Sequence, residues 1–445
     1  MLDASPRPYP GEPKVMLPAL RGSLDFIPSP LEDQPGLVIR DPFLYSAATL
    51  IIPPALVPTL LLFDGNHSDA DLRGQLEQIT GDADTSALAA HLTETLSGAG
   101  FLDDDAFEQS RLDAEKRFAD SPTRLAAHAG GGYPDQPAEL TETFTGYLRN
   151  GDAATDNEES PTSRPGTTRA IAAPHVSPFG GIASYRAAYS ALTPDDADRT
   201  FIILGTSHYG EPDRFGLTRK SFTTPLGATV PALDWIDELE AAAGPAIRME
   251  DYCHAIEHSI EFQVVFLQHL FGPRIRVLPI LCGPFSAVYQ PGDPGRIESN
   301  RRMFDALGEL AAREGERALW VLGVDMAHMG QRYGDGFSAE ASQARMQQVE
   351  QADRKRIEAI SSADADQFWD LVAKPLEGLG SSRRSAGTSA GTAPAREDSL
   401  RWCGSAPFYT FLRALPEARG ELLHYQQWNI DPQSVVSFAG MRFHS

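Results

Sequence analysis

From residue 168 to the C-terminus, near-continuous apolar runs alternate with amphipathic stretches. The apolar runs TRAIAAP, RTFIILG, RIRVLPILCG and ALWVLGV predict buried strands. The segments between them, IASYRAAYSAL, EHSIEFQVVFLQHLFG and RRMFDALGELAAREG, repeat apolar residues at helical spacing and predict helices. This alternation indicates an α/β fold whose mainly parallel or mixed sheet is sandwiched by helices. Two further strands, GELLHYQQWNID and SVVSFAGMRF, are expected as an antiparallel pair at an edge of the sheet.

The first 120 residues follow a different pattern, with short strand and helix signals. GLVIRDP alternates like a strand, and Ser68 with Asp71 forms a capping-box signature ahead of a helix. A second helix, ALAAHLTETLSG, ends near Gly98 and Gly100. We therefore predict a small winged-helix-like α+β domain over 1–120 and a larger α/β domain over 121–445. Two polar segments without periodicity, 150–168 and 378–398, are expected to be insertions in the larger domain.

Composition excludes several classes of protein. The formal net charge of −23 argues against a sequence-independent grip on nucleic acid, which requires a basic surface. Since no apolar run approaches the ~20 residues that cross a bilayer, and the N-terminus lacks the features of a signal peptide, we expect a cytoplasmic protein without a membrane span. The three cysteines do not form a disulfide framework, so any of them could act as a thiolate ligand.

Histidines follow three of the predicted strands. His175, His208 and His328 lie where the parallel strands end, and Asp325 precedes His328. One such histidine is more often structural, but three at equivalent positions favour a common ligand at the carboxyl edge of the sheet. Neutral imidazoles with one anionic ligand suit a mononuclear transition metal. Asp325 or Cys403, which precedes a helix whose N-terminus would favour the thiolate, could supply the anion.

A second polar cluster opens the helix EHSIEFQVVFLQHLFG. A carboxylate at a helix start is explained by capping, yet Glu257 and His258 could equally face the cleft as acid, base or orienting groups. Cys282, at the end of RIRVLPILCG, is a weaker candidate because it still lies within the apolar run.

The order of several motifs resembles one family, the MEMO family, and within it AmmeMemoRadiSam system protein B. The motifs are IAAPHVSPFGG, FIILGTSHYG, EHSIEFQ, GVDMAHMGQRYG, CGSAPF and SVVSFAGMRF, preceded by an opening at AHAGGGYPDQ. The resemblance runs from about His128 to the C-terminus. It implies a fold similar to the catalytic subunit of class III extradiol dioxygenases, which hold mononuclear non-haem iron(II). It also implies His175, His208 and Cys403 as metal ligands, with Asp325 and His328 alongside.

The 1–120 pattern is similar to the small peptide-chaperone domains that partner radical-SAM enzymes. These resemblances favour a redox-active or oxygen-activating, dioxygenase-like oxidoreductase acting on an unknown small molecule, with iron(II) first, copper second and zinc last as the metal. The alternative is a non-catalytic adaptor whose dioxygenase-like pocket holds a peptide or small ligand. A third hypothesis is a zinc hydrolase in which Asp325 or Glu257 serves as the base.

Overall fold

The computed structural model describes residues 15–29, 31, 33–149, 167–288, 292–374 and 398–445. The chain divides into two compact units, Met1–Asp120 and Ser121–Ser445. Apart from Thr167, Thr168 and Asp398, the predicted insertions at 150–168 and 378–398 lie outside the described residues.

In its described residues, the Met1–Asp120 unit contains a three-stranded antiparallel sheet, three α-helices and a short 3-10 helix at Val57–Leu62. Its elements are β1 (Asp25–Pro28), β2 (Leu37–Arg40), β3 (Thr49–Ile52), α1 (Asp69–Thr80), α2 (Ser86–Gly98) and α3 (Asp105–Asp120), with strand order β1-β2-β3. The predicted capping box is confirmed, because Asp71 accepts hydrogen bonds from the backbone N–H and the hydroxyl of Ser68. Ile39, Leu72 and Leu96 are among the fully buried residues of this unit's core.

The Ser121–Ser445 unit contains the remaining elements. Its strands are β4 (Thr123–Leu125), β5 (Thr168–Ala173), β6 (Thr200–Thr206), β7 (Phe215–Leu217), β8 (Ser221–Thr224), β9 (Gly227–Ala228), β10 (Val230–Pro231), β11 (Ile247–Met249), β12 (Arg276–Cys282), β13 (Ala318–Gly323), β14 (His328–Gly330), β15 (Arg419–Asp431) and β16 (Ser434–His444). Its helices are α4 (Pro137–Leu148), α5 (Ile182–Tyr189), α6 (Leu233–Ala243), α7 (Cys253–Ile256), α8 (His258–Phe271), α9 (Glu298–Glu314), α10 (Ala344–Ser361), α11 (Ala365–Ala373) and α12 (Ser405–Ala414). Among the helices that the structure describes, none is both long and apolar enough to cross a membrane.

The large sheet confirms the predicted α/β class. Its order is β11-β7-β12-β6-β13-β5-β16-β14, with β10 beside β12 and β15 beside β16. The four central strands β12, β6, β13 and β5 are parallel, and the flanking strands β7 and β16 run antiparallel to them. The C-terminal strands form the predicted antiparallel pair, but β16 is not an edge strand, because it also pairs with β5 and β14.

Side chains of the central strands alternate between two buried cores. Ile202 and Trp320 belong to the core that includes residues of α9 and α12, whereas Ile203 and Val321 belong to the core that includes residues of α5 and α8. Because helices cover both faces of the sheet, consecutive residues of a strand point into one core and then the other, and all of them can be apolar. This explains the near-continuous apolar runs.

Candidate metal centre

Three of the four central strands, β5, β13 and β6, end level with one another. Gly323 is paired with Ala173 on one side and with Gly205 on the other. The residues that follow, His175, Asp325 and His208, therefore emerge at one edge of the sheet. His328 differs, because it begins β14 instead of directly following a central strand.

His175, His208 and Cys403 come together at this edge. Each offers one potential ligand atom, and these three atoms lie within 4.8 Å of one another. The Cys403 Sγ is 3.3 Å from the His175 Nε2, and the two imidazole rings have centroids 5.0 Å apart. Cys403 comes from the loop before α12, so the thiol and the imidazoles meet only through tertiary folding.

Hydrogen bonds leave the Nε2 atom of both imidazoles available for a metal. The His175 Nδ1 lies 2.9 Å from the carbonyl oxygen of Gly323, and the His208 Nδ1 lies 3.0 Å from the Glu257 Oε1. Both partners are acceptors, so each Nδ1 donates its hydrogen, and Nε2 is the ring nitrogen left to bind a metal, which on His208 requires loss of its proton. Pinning one ring nitrogen in this way is how proteins orient imidazoles that bind metals.

The environment of Cys403 favours the thiolate. Burial alone would raise its pKa, but electrostatic interaction with His175 and hydrogen bonds with His175 and His208 lower it below the usual value. The predicted helix after Cys403 is present, because α12 begins two residues later, at Ser405. The neighbouring imidazoles provide the direct contacts that favour a ligating sulfur anion.

Glu257 serves both roles that the sequence left open. It is the N-cap of α8 and accepts hydrogen bonds from the backbone N–H groups of His258 and Ser259. The same carboxylate accepts from the backbone N–H and the Nδ1 of His208. Burial would raise the pKa of Glu257, but the neighbouring His208 holds it well below its usual range. Burial would likewise lower the pKa of His208, but Glu257 raises it well above its usual value.

A second group of metal-ligand types, His208, Glu257 and His258, also lies within 4.8 Å. The hydrogen bonds already accepted by both oxygens of Glu257 explain this proximity, so we assign that carboxylate to orienting His208. The His258 ring stacks on His208, with centroids 5.0 Å apart and an interplanar angle of 12°. Burial holds the pKa of His258 well below its usual value, which favours a neutral ring at neutral pH.

Asp325 lies directly against His175. Its Oδ1 accepts hydrogen bonds from the backbone N–H groups of His175 and Val176, at 2.9 and 3.3 Å, and its Oδ2 is 3.5 Å from the His175 Nε2. Burial raises the pKa of Asp325 to about 6.

His328 is oriented by backbone atoms. Its Nδ1 donates to the carbonyl oxygen of Met326, at 2.9 Å, and its ring lies edge-on to Tyr333, with centroids 4.8 Å apart. Burial lowers the pKa of His328. At neutral pH the ring is therefore neutral, with Nδ1 as its donor and Nε2 as its acceptor nitrogen.

Sequence reasoning missed the residues that support α8. Arg124, buried beside α8, forms an ion pair with Glu261 and donates to the carbonyl oxygens of His254 and Glu257. Glu261 also accepts from the Tyr133 hydroxyl and from the backbone N–H of His128, whose ring lies 5.5 Å from that of His258. The motif AHAGGGYPDQ contains His128 and Tyr133, but nothing in its local pattern indicates a partner more than a hundred residues away.

Cys282, the weaker candidate, points into a core instead of the cleft. It belongs to the core shared with α9 and α12, and burial raises the pKa of its thiol to about 12. It is therefore a neutral core residue.

The fold and site define an α/β protein with a two-histidine, one-cysteine candidate metal centre at the carboxyl edge of its sheet. The family model described as "Memo-like protein" matches residues 124–442, well over half of the chain, so the protein belongs to the MEMO family. This confirms the family predicted from the motif order.

Related proteins extend the similarity. A MEMO1 family protein of Aquifex aeolicus is 25% identical over 92% of this chain and 96% of its own length. The 411 aligned residues are more than the Ser121–Ser445 unit contains, so the similarity continues into the Met1–Asp120 unit. A MEMO1 family protein of Methanopyrus kandleri is 26% identical over 56% of this chain and 79% of its own length. One of Thermococcus kodakarensis is 32% identical over 36% of this chain and 53% of its own length.

Proposed function

We propose that this protein is a mononuclear metalloprotein of the AmmeMemoRadiSam B type, with iron(II) or, second, copper held by His175, His208 and Cys403. The observation that carries the proposal is that potential ligand atoms of His175, His208 and Cys403 lie within 4.8 Å of one another. Hydrogen bonds orient both imidazoles, and the pKa of the thiol is lowered. Imidazole with thiolate suits iron, copper and zinc, and we prefer the redox metals because the motifs resemble a family similar to extradiol dioxygenases.

Iron(II) or copper at this position would supply one-electron redox chemistry and open coordination positions for a small-molecule substrate. The chain's own residues would hold the protons. Asp325, with its pKa raised to about 6, can carry a proton on Oδ2 beside His175, and the neutral His328 offers its Nε2 as an acceptor whose basicity burial lowers. His258, stacked on His208, keeps a neutral ring at the same edge. We infer from this arrangement an oxygen-activating, dioxygenase-like oxidoreductase of the cytoplasm.

A second candidate function is an adaptor that binds a peptide or small ligand without turnover. It is favoured by the Met1–Asp120 unit, which a relative of nearly the same extent shares. By its resemblance to peptide-chaperone domains, this unit would recruit a radical-SAM protein or its peptide. Recruitment of a partner by this unit is compatible with a metal centre in the other unit, and only the absence of turnover separates the two candidates.

The test is metal analysis of the full chain purified without oxygen. Cys403→Ala removes the thiol of the proposed centre, and Cys282→Ala removes a buried thiol from the core as the matched control. We expect one equivalent of iron or copper in wild type and in Cys282→Ala, and affinity at least about 10-fold weaker in Cys403→Ala. A wild-type protein that stays metal-free after reconstitution would support the adaptor instead. Bound zinc with no affinity for iron or copper would support the hydrolase.

A further inference from the structure

Asp353 is a fully buried carboxylate outside the elements that carry the proposed metal ligands. Asp353, on α10, has no exposed surface and accepts three hydrogen bonds, from Trp402, Tyr425 and Ser437. A buried carboxylate costs free energy, and its retention calls for a complete set of donors. We propose that Asp353 is a positioning residue that ties the Cys403 loop and the Asp325–His328 loop to one point, an inference that rests on the proposed metal centre.

The first connection leads to the thiol. The Trp402 indole Nε1 donates to the Asp353 Oδ1 at 2.6 Å, and Trp402 immediately precedes Cys403. The backbone N–H of Trp402 is held by Asp398, which forms an ion pair with Arg356 one turn along α10 from Asp353. The orientation of Cys403 thus depends on Trp402, whose side chain is held by Asp353 of α10 and whose backbone is held by Asp398, the ion-pair partner of Arg356.

The second connection leads to the proton-handling residues. The Ser437 hydroxyl donates to the Asp353 Oδ2 at 2.6 Å and accepts from the backbone N–H of Ala327 at 2.8 Å. Ala327 lies between Asp325 and His328, and the backbone of Ser437 exchanges further hydrogen bonds with Met326 and Ala327. Because the Ser437 hydroxyl has a single hydrogen, its donation to Asp353 orients its lone pairs toward Ala327.

The third donor provides an internal control. The Tyr425 hydroxyl donates to the Asp353 Oδ2 at 2.7 Å, comparable to the other two bonds, and its oxygen accepts from Gln427. Tyr425 and Gln427 are both on β15, and neither adjoins a proposed ligand in the sequence. Loss of this hydroxyl therefore perturbs Asp353 with no hydrogen bond to Trp402 or Cys403, and it reaches Ala327 only through Ser437, with which Tyr425 also hydrogen-bonds.

The experiment compares Asp353→Asn, which cannot accept all three bonds through one amide oxygen, with Tyr425→Phe in the full chain. Two readouts use the metal-free protein, the rate of Cys403 alkylation by iodoacetamide and hydrogen exchange at the Ala327 amide. A third readout is iron(II) affinity. We expect Asp353→Asn to change alkylation several-fold, speed exchange, and weaken affinity by about 10-fold or more, with little change in Tyr425→Phe.

Two single-sided variants keep the inference testable if Asp353→Asn does not fold. Trp402→Phe should alter alkylation of Cys403 but not exchange at Ala327, and Ser437→Ala should do the reverse. Trp369→Phe, which removes another buried indole donor, controls for lost volume. Unchanged alkylation in Trp402→Phe, or equal effects of Tyr425→Phe and Asp353→Asn, would overturn the inference. If the wild-type protein binds no metal, the proposed function fails. The rates of Cys403 alkylation and of hydrogen exchange at Ala327 still test whether Asp353 positions the two loops.

Discussion

The two sides of the candidate centre are built in different ways. On the imidazole side, His175 and His208 follow central strands, and their Nδ1 atoms are held by a strand carbonyl and by the N-cap of α8. On the thiolate side, Cys403 lies in a loop, and the preceding residue, Trp402, is held by Asp353 of α10 and by Asp398, which pairs with Arg356 of α10. The imidazoles are thus placed largely by backbone regularity and the thiol by long-range side-chain contacts.

Each side also contains a buried carboxylate with a different partner. Glu257 accepts from the His208 imidazole, and its pKa lies well below the usual range despite burial. Asp353 accepts from neutral hydroxyl and indole groups, and burial raises its pKa to about 6. The comparison shows that burial alone does not decide ionisation, since the charge of the hydrogen-bond partner reverses the direction.

The largest expected effects separate two carboxylates of the same helix. Glu261→Gln breaks the buried ion pair with Arg124 and should lower the free energy of unfolding by about 3–5 kcal/mol. Glu257→Gln removes the anionic partner of the His208 Nδ1 and should weaken metal affinity by about 10–100-fold. Denaturant unfolding and metal titration of both variants would check this. Equal losses of affinity would mean that Glu257 supports the helix and not the metal.

Intermediate effects are expected from two glycines at close approaches, one on each side. A Cβ at Gly323 would clash with the carbonyl oxygen of Ser259 at the start of α8, and one at Gly404 would lie 2.7 Å from the carbonyl oxygen of Asp325. Each alanine variant should lower the free energy of unfolding by about 1–3 kcal/mol. Gly323→Ala should weaken metal affinity through both imidazoles, because the Gly323 carbonyl holds His175 and its Cβ would push against the start of α8, whose N-cap Glu257 holds His208. Gly404→Ala should mainly change the rate of Cys403 alkylation. Gly308→Ala, in α9 with only an ordinary contact, is the control, and equal destabilisation by it would contradict the packing argument.

The last expected effect, a change with pH and not a loss at fixed pH, is a pair of opposite pH dependences in the metal-free protein. The folded pKa of Asp353 is raised from 3.8 to about 6, so the folded state binds the extra proton and wild type loses stability relative to Asp353→Asn as pH rises from about 4 to 6. The folded pKa of Glu257 is lowered, so wild type loses stability relative to Glu257→Gln as pH falls below about 4.5. Unfolding curves across this range would measure both slopes, and slopes of the same sign would refute the assignment of partners.

The sequence by itself determined the strands, the class of fold and the family, because these depend on local periodicity and on the order of short motifs. His175, His208 and Asp325 were predictable as neighbours, since parallel strands end at a common edge. Their partners were not: nothing near Asp353, Arg124 or Glu261 in the chain indicates a link to Trp402, Glu257 or His128. Only the tertiary structure decided these contacts, because a buried charge or hydroxyl takes whichever partner the packing of distant segments brings within hydrogen-bond distance.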